Sequence, residues 1–248
     1  MHRRISICVM ALAGLLLCGS PLLEAQEPPG LIRVVKVQLH TDRVADWVDG
    51  RKVLRDAIEK GDGKPFNVWQ VVSGNTAEYW VGTPANSFAE MAEPGVAQKV
   101  LGGGDFVRVI NRMTPAIASR EIIISRFLAS HSIIPEDREP APYIVVTQRL
   151  NGPGKRREIS RYWLDKILPE MKKAGIEASY LYTTYSGGDP RQTSFVEPLN
   201  EWADLDKPNP MFEKLGEKAG DLMFPFWAMF RAEDRVILRH RPDLSYNP

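Results

Sequence analysis

The apolar residues of this chain recur with two periods, that of a strand and that of a helix. From Ile32 to His40 they alternate, which is typical of a β-strand with two distinct faces. One face carries Val35, Val37 and Leu39, and the other carries Val34, Lys36, Gln38 and His40. An apolar stripe at helical spacing then continues to Lys60, and Gly61 suits the end of that helix. The pattern predicts a strand that leads into a helix.

The rest of the chain extends this beginning into two sets of elements in the order β-α-β-β-α-β. The first set has further strands at 67–72, 78–81 and 121–128, and helical stretches that begin near 84 and 105. The second set has strands at 143–150, 178–185, 192–196 and 235–241, and helical stretches at 155–174, 200–206 and 211–216. Pro169 lies inside the longest of these helices and predicts a kink, because proline cannot donate a backbone hydrogen bond.

One segment of the chain occurs twice. The residues from Pro84 to Met91 return 114 positions later as Pro198 to Leu205. Pro84, Asn86, Phe88, Ala89, Glu90 and Met91 become Pro198, Asn200, Trp202, Ala203, Asp204 and Leu205. The repeat predicts two copies of one unit of roughly 100 residues. We place a first unit at 26–130, a proline-rich linker at 131–142 and a second unit at 143–248.

The predicted order of elements is that of a ferredoxin-like unit. Helices cover only one face of such a sheet, so a second copy is needed to cover the other. With this order, the helix end Pro169–Gly175 and the terminus Arg239–Tyr246, the chain resembles the dimeric α/β-barrel superfamily, which includes the antibiotic-biosynthesis-monooxygenase-like and NIPSNAP-like families. The resemblance covers residues 31–130 and 141–246. It implies an α+β fold: two tandem ferredoxin-like units packed sheet to sheet as an intramolecular α/β barrel around a central cavity.

The resemblance also implies a range of activities. Members of the superfamily carry out cofactor-free oxygenation, haem binding or breakdown, and isomerisation. The haem-degrading members depend on an Asn, a Trp and a His in fixed places, and that trio has no match here residue by residue. No cofactor is evident from the sequence, and its cofactor requirement stays open.

The first 25 residues have the order of a secretory signal peptide. Arg3 and Arg4 precede an apolar run of 13 residues from Ile5 to Leu17, which is too short to span a bilayer. We expect export, to the periplasm in a bacterium and otherwise by secretion, with no stable membrane insertion after cleavage. Lipidation of Cys18 is disfavoured by the bulky Leu17 before it, but it stays open.

Removal of this segment changes what the mature chain contains. Both cysteines, Cys8 and Cys18, leave with it, so disulfides, cysteine nucleophiles and thiolate metal sites are not expected. Loss of Arg3, Arg4 and Glu24 from the 32 basic and 31 acidic residues leaves 30 of each. A balanced charge gives no general attraction to nucleic acid.

The candidate site residues lie on the predicted strands. The proposed ligand-binding residues are Lys36, Gln38, Trp69, Trp80, Arg126, Arg149, Tyr180, Tyr182 and Arg239. They would line a shared cavity if the polar strand faces point at each other, because an enclosed charge needs a partner or a ligand. A solvated face or an ordinary core is the alternative. The weaker catalytic candidates are His40, His131 and His240, and no pair of them has the spacing of a helical metal site.

Three functional hypotheses follow. The first is an exported barrel that binds a small, partly apolar molecule. The second is a cofactor-independent monooxygenase or isomerase on the same scaffold, and the third is a non-catalytic assembly subunit. The first two require an open cavity, whereas a filled interior favours the third. The chain is expected to be a monomeric pseudo-dimer or a homo-oligomer.

Overall fold

The computed structural model describes residues 30–93, 95–136 and 139–248. The predicted signal peptide lies outside the described residues, as do Cys8 and Cys18. The strands are β1 (Leu31–Leu39), β2 (Asn67–Val71), β3 (Glu78–Ala85), β4 (Ile117–Phe127), β5 (Tyr143–Asn151), β6 (Tyr180–Ser186), β7 (Gln192–Leu199) and β8 (Phe230–His240). The helices are α1 (Val44–Lys60), α2 (Phe88–Met91), α3 (Val96–Leu101), α4 (Gly103–Met113), α5 (Arg156–Tyr162), α6 (Leu168–Lys173), α7 (Pro210–Leu215) and α8 (Glu217–Trp227).

The eight strands form one closed barrel in the order β1-β3-β2-β8-β5-β7-β6-β4. Each half has the ferredoxin-like order, β4-β1-β3-β2 in the first unit and β8-β5-β7-β6 in the second. Antiparallel pairs β2·β8 and β4·β6 join the units, with Trp69 opposite His240 and Phe127 opposite Tyr182. Closure leaves no open sheet edge. The predicted fold class, two ferredoxin-like units in one barrel, is confirmed.

The helices of each unit pack on the outer face of its sheet. In the first unit, Trp47 and Leu54 of α1 pack with Val68 and Tyr79 of the sheet, and all four are buried. In the second, Trp163 and Ile167 pack with Phe195 and Leu181. Burial of a side chain of this kind contributes about 1.5–3 kcal/mol. These two layers supply most of the apolar core, so the barrel interior is free to hold polar groups.

A third, smaller cluster lies inside the barrel. Val71, Trp80, Val146 and Leu238 are its buried members. They come from β2, β3, β5 and β8, so both units contribute to it. The interior therefore has a packed apolar centre, and the polar inward positions lie around that centre.

Several predicted elements differ from the structure in detail, and two of these differences have a local cause. The predicted helix 155–174 is interrupted by a π-helical turn, Trp163–Ile167, immediately before Pro169 in α6. This turn accommodates the proline, whose nitrogen cannot donate to Asp165. The last strand begins at Phe230 rather than at Arg235. Its pairing with β5 extends it through charged positions that have no apolar alternation.

An isolated antiparallel β-bridge holds the start of the predicted linker against the second unit. Ile133 pairs with Ser179 in both directions, with backbone N–O distances of 2.8 and 2.9 Å.

Across the described part of the chain, no helix has both the length and the apolar character needed to cross a membrane.

Candidate functional site

The inward face of the barrel brings together five of the residues predicted to bind a ligand. These are Lys36, Trp69, Trp80, Tyr180 and Tyr182. The Lys36 ammonium lies 4.3 Å from the centre of the Trp80 ring. It also lies 3.4 Å from Gln148 Oε1 and 3.8 Å from Glu121 Oε2. Protein groups therefore surround this cation inside the barrel, and none of them is closer than a weak hydrogen bond.

Aromatic side chains line other inward positions. The ring of Tyr182 lies 5.2 Å from that of Phe127, and Trp69 lies 4.8 Å from His240. His240 Nε2 is also 3.0 Å from Asn67 Oδ1. Burial raises the pKa of the Tyr182 hydroxyl and lowers the pKa of His240. Both groups are therefore held neutral near pH 7.

Gln38 has its amide occupied at the end of β1. Its Nε2 donates to the Leu39 carbonyl at 3.2 Å, and its Oε1 accepts from Asn75 Nδ2 at 2.6 Å. His40 follows directly and is exposed, with its backbone N–H bonded to the Ala116 carbonyl. These two residues hold the turn at this end of the barrel.

The structure does not bring the three predicted arginines into the interior. Arg126 is exposed on the outer face, with its guanidinium 5.7 Å from the Tyr185 ring. Arg239 is also exposed and bonds Gln70 at 3.0 Å. Arg149 lies on the helix-facing side of β5, opposite Glu233 of β8. The expectation that Arg126 and Arg239 share a cavity with Lys36 is therefore corrected, because strand register turns them outward, whereas Arg149 lines that cavity from the helix-facing side of β5.

Arg149 instead lies in a cleft between the second sheet and its helices. Its Nη2 atom donates to the Glu233 carboxylate at 2.8 Å, and only 12% of its side chain is exposed. Its guanidinium lies 5.3 Å from the Phe230 ring and 5.7 Å from the rings of Phe195 and Trp227. A cation held among three aromatic faces is the arrangement that favours planar, electron-rich or anionic partners.

Two hydrogen-bond donors in this cleft are unused. Arg149 Nε and Trp227 Nε1 are both buried, and neither has a hydrogen-bond partner among the described residues. A buried donor without a partner costs about 1–3 kcal/mol, so such donors are rare outside sites that accept a ligand or water. Both donors belong to residues of the same aromatic cleft.

The cleft also holds a carboxyl with an altered acidity. Glu197 of β7 is exposed to water, but protein groups are packed around its carboxyl. This enclosure raises its pKa, although Arg235 and Arg149 act in the opposite direction. Burial likewise lowers the pKa of Arg149, with Glu233 opposing the shift. A carboxyl and two guanidinium groups in an apolar cleft are the kind of arrangement found at functional sites.

The two units differ at the same strand positions, and the difference defines this site. On the outer face of the first sheet, Val35 lies between Val81 and Ile122. At the matching place in the second sheet, Thr147 lies between Phe195 and Arg235. One step along, the buried Val37 of the first unit corresponds to Arg149. At these two positions the first unit has Val35 and Val37, which belong to its core or pack against it, whereas the second unit has Thr147 and Arg149.

One continuous cavity connects the cleft with the barrel interior. Its volume is about 1460 Å³, and it is lined from both faces of β5. On the cleft side its walls include Met211, Phe212, Met223, Phe226 and Trp227. This space is larger than most small-molecule sites, which occupy about 300–1,000 Å³. The cavity therefore leaves open space beside the packed apolar centre of the barrel.

The residues present do not fit a metal or a histidine-ligated haem in this cavity. No group of three or more His, Cys, Asp or Glu residues is arranged around a metal position in the part of the chain that the structure describes. The described residues that line the cavity include no histidine. The proximal histidine of globins and peroxidases therefore has no counterpart there.

His131 lies in a second, smaller pocket rather than in the cavity. That pocket has a volume of about 180 Å³ and lies against α5. Of the three histidines proposed from the sequence, His40 is exposed, His240 belongs to the barrel interior and His131 to this pocket. The structure therefore keeps all three apart.

Comparison with solved structures places the barrel among known folds. A monooxygenase candidate from Lactobacillus acidophilus superposes with a TM-score of 0.54 at 12% identity, over 86% of this chain and 94% of the other. An anthrone oxidase-like protein gives 0.57 at 12% identity, over 87% and 92%. A chlorite dismutase variant from Candidatus Nitrospira defluvii gives 0.55 at 10% identity, over 88% and 94%. The chain has the dimeric α/β-barrel fold. The sequence itself matches no protein-family model and no curated protein.

Sequence reasoning missed three charged residues of the cleft. Glu197, Glu233 and Arg235 lie on predicted or extended strands, but their strand pattern alone carries no sign of a site. A comparison of the two units would have pointed to one of them, Arg235. Arg235 corresponds to Ile122 and Glu197 to Thr83 through the strand registers. The replacement of the apolar Ile122 by the charged Arg235 is that signal.

Proposed function

We propose that this protein binds a small, partly apolar molecule that carries a carboxylate or another negatively polarised oxygen. The ligand occupies the cleft around Arg149, and its oxygen accepts hydrogen bonds from Arg149 Nε and Trp227 Nε1. The observation that carries this proposal is the presence of these two unused buried donors beside three aromatic rings. Export belongs to the same proposal and rests on residues 1–25 of the sequence.

The aromatic walls favour a flat apolar body. Phe195, Trp227 and Phe230 surround the guanidinium, and Met211 and Met223 line the same cavity. Methionine side chains adapt to irregular shapes, and aromatic faces stack on planar ligands. A planar carboxylate therefore fits the cleft in both shape and charge.

The proposal is tested with 2-naphthoate as the probe and isothermal titration calorimetry as the measurement. The Arg149→Met variant should bind about ten- to hundredfold more weakly, because a hydrogen bond to a charged group contributes about 1.5–3 kcal/mol. The matched control is Arg126→Met, which removes an exposed arginine from the outer face. It should bind as the unaltered protein does.

A neutral analogue separates charge from stacking. We expect 2-naphthamide to bind more weakly than 2-naphthoate to the unaltered protein, and about equally to Arg149→Met. Equal loss of naphthoate binding in both arginine variants, or no loss in Arg149→Met, would rule out the Arg149 cleft as the site. Near-ultraviolet circular dichroism checks that each variant is folded.

A second candidate function is cofactor-independent oxygenation at the same cleft. The raised pKa of Glu197 favours it, because a carboxylate of raised pKa is a better proton acceptor. Glu197 would remove a proton from an acidic C–H group, and Arg149 would stabilise the resulting enolate. Dioxygen would then oxidise that carbanion. Isomerisation would begin with the same proton removal and return the proton at another carbon.

Anthrone is a suitable probe for this candidate. Its reaction with one molecule of dioxygen gives anthraquinone and one molecule of water, and oxygen uptake measures it directly. Glu197→Gln should lower the rate by about 10²–10⁴-fold, the usual contribution of general base catalysis, while 2-naphthoate still binds. If the unaltered protein binds naphthoate but consumes no oxygen, the oxygenase candidate is lost and the binding function stands.

A further inference from the structure

The smaller pocket, next to α5, contains a serine and a histidine in direct contact. Ser160 Oγ lies 2.7 Å from His131 Nε2, and Ser130 Oγ lies 3.0 Å from His131 Nδ1. The neutral imidazole with its proton on Nδ1 satisfies both contacts, since Nε2 then accepts the Ser160 hydroxyl proton. Burial lowers the pKa of His131, which keeps this neutral form at neutral pH. Ser160 as nucleophile, His131 as base and Ser130 as the group that orients the base thus form one chain of hydrogen bonds.

Backbone contacts fix the two side chains in place. His131 ends the 3-10 turn Ala129–His131, and its N–H donates to the Leu128 carbonyl at 3.0 Å. Its own carbonyl accepts from Trp163 Nε1 at 2.8 Å. Ser160 lies in the middle of α5. The pair therefore connects two elements that are each held independently, and neither side chain is on a free loop.

A second serine–histidine contact in the same protein shows what a purely structural pair looks like. Ser245 Oγ lies 3.1 Å from His240 Nε2, but it also donates to the Arg241 carbonyl and accepts from the Val68 N–H, each at 2.8 Å. Its hydroxyl proton is already used. Ser160, in contrast, has His131 as its one side-chain hydrogen-bond partner among the described residues. Its proton is directed to the imidazole.

The surroundings of the pair suit an acyl group. The pocket of about 180 Å³ has mainly apolar walls, which include Leu128, Ile159, Leu181 and Phe226. A space of this size holds a few heavy atoms, since one water takes about 30 Å³ of liquid volume. Arg156 also lines the pocket, one helical turn before Ser160 on the same side of α5. Its guanidinium is available to an oxygen that gains negative charge.

We propose that Ser160 and His131 form a nucleophile–base pair that hydrolyses short-chain acyl esters at this pocket. Ser160 Oγ forms a bond to the ester carbonyl carbon while its proton passes to His131 Nε2. The C–O bond to the alcohol then breaks, and the alcohol leaves with that proton. Water, deprotonated by His131, attacks the acyl-serine, and the acid and free Ser160 are released. No redox step and no cofactor are involved.

The test uses p-nitrophenyl butyrate as substrate and a fluorophosphonate probe as covalent label. We expect nitrophenol release with an initial burst, and label on Ser160 but not on Ser245, as located by peptide mass spectrometry. Ser160→Ala and His131→Ala should each lower turnover by at least about 100-fold. Ser130→Ala should cause a smaller loss, because Ser130 only orients the imidazole.

The Ser160→Ala variant is expected to fold, because alanine is favoured over serine inside a helix. Its thermal unfolding midpoint should match that of the unaltered protein. Turnover that persists in folded Ser160→Ala would assign the reaction to the imidazole or another group and overturn the proposal. A label on other serines only, or no turnover in the unaltered protein, would overturn it as well.

Discussion

Lys36 and Gln148 occupy the same position in the two units, and their side chains meet across the barrel at 3.4 Å. Lys36 lies opposite Glu121 on the last strand of its unit, and Gln148 lies opposite Asp234 on the last strand of the other. In a barrel made from two identical chains, residues at this position would face their own copies. Two lysines would then repel each other. Because both units lie on one chain, the lysine can meet a neutral amide instead.

The first prediction tests this asymmetry. Gln148→Lys would place two ammonium groups a few ångströms apart, and we expect it to lower the free energy of unfolding by about 1–2 kcal/mol. Asp234 offsets part of the repulsion. Lys36→Gln, which gives two facing amides, should change stability by less than about 1 kcal/mol. Urea unfolding measures both. Added salt should restore part of the stability that Gln148→Lys loses. If Gln148→Lys is as stable as the unaltered protein, these side chains do not meet.

A second prediction concerns the joint between the units, where β4 pairs with β6. Gly187 follows β6 with φ at +79°, and a Cβ there would lie 1.8 Å from the Ile122 carbonyl oxygen. We expect Gly187→Ala to cost more than about 4 kcal/mol, because the backbone itself must move. Gly74→Ala is the matched control, since its φ is +96° and no atom lies within 4 Å. It should cost only about 1–2 kcal/mol. If both variants lose the same free energy of unfolding, Gly187 does not lie against the Ile122 carbonyl as described.

The repeat could be predicted from sequence because the two copies keep the same local geometry. Pro84 pairs with Ile32, and Pro198 pairs with Ile144, which is the corresponding residue of the second unit. The segments after these prolines are capped alike. The Asn86 N–H bonds the Glu90 carboxylate at 2.7 Å, and the Asn200 N–H bonds that of Asp204 at 2.8 Å. The conserved pattern of the repeat therefore reflects a turn that each unit needs.

The orientation of the strand faces could not be predicted in the same way. In β1 both faces are covered, one by helices and one by the opposite sheet, so both carry valines. Alternation then shows that two faces exist, but it does not show which one points inward. In β5 the polar Gln148 points inward, whereas the charged Arg149 points toward the helices. A charge beneath helices is unusual, and only the contrast with Val37 reveals it.

A third prediction concerns stability as a function of pH. Burial lowers the folded-state pKa of His131 and His240 below the ordinary value of 6.5. The unfolded chain then binds protons that the folded chain does not, so stability is full above 6.5 and falls as the pH drops through and below it. We expect a lower urea midpoint at pH 5.5 than at pH 7.5.

Variants identify the source of that slope. His131→Gln combined with His240→Gln should flatten the dependence between pH 7.5 and 5.5. The exposed His40→Gln is the control and should keep it. The raised pKa of Glu197 makes stability fall as the pH rises, which opposes the effect of the histidines. Because Glu197 is present in every protein compared, its contribution cancels when their pH slopes are compared. A slope that survives in the double variant would assign it to other groups.

The last prediction is the pH dependence of ligand binding at the cleft. Glu197 has a pKa above its ordinary 4.5 because the protein groups around its carboxyl weaken its hydration. When Glu197 is neutral, the cleft has one negative charge fewer beside Arg149 and Arg235, whereas the charged carboxylate repels an anion. We therefore expect the affinity for 2-naphthoate to be highest below the raised pKa of Glu197 and to fall as the pH rises through it. Glu197→Gln should bind tightly across that range, because an amide cannot ionise. Calorimetry over pH 4.5–8 on both proteins decides the question: parallel pH profiles would show that Glu197 does not face the bound anion.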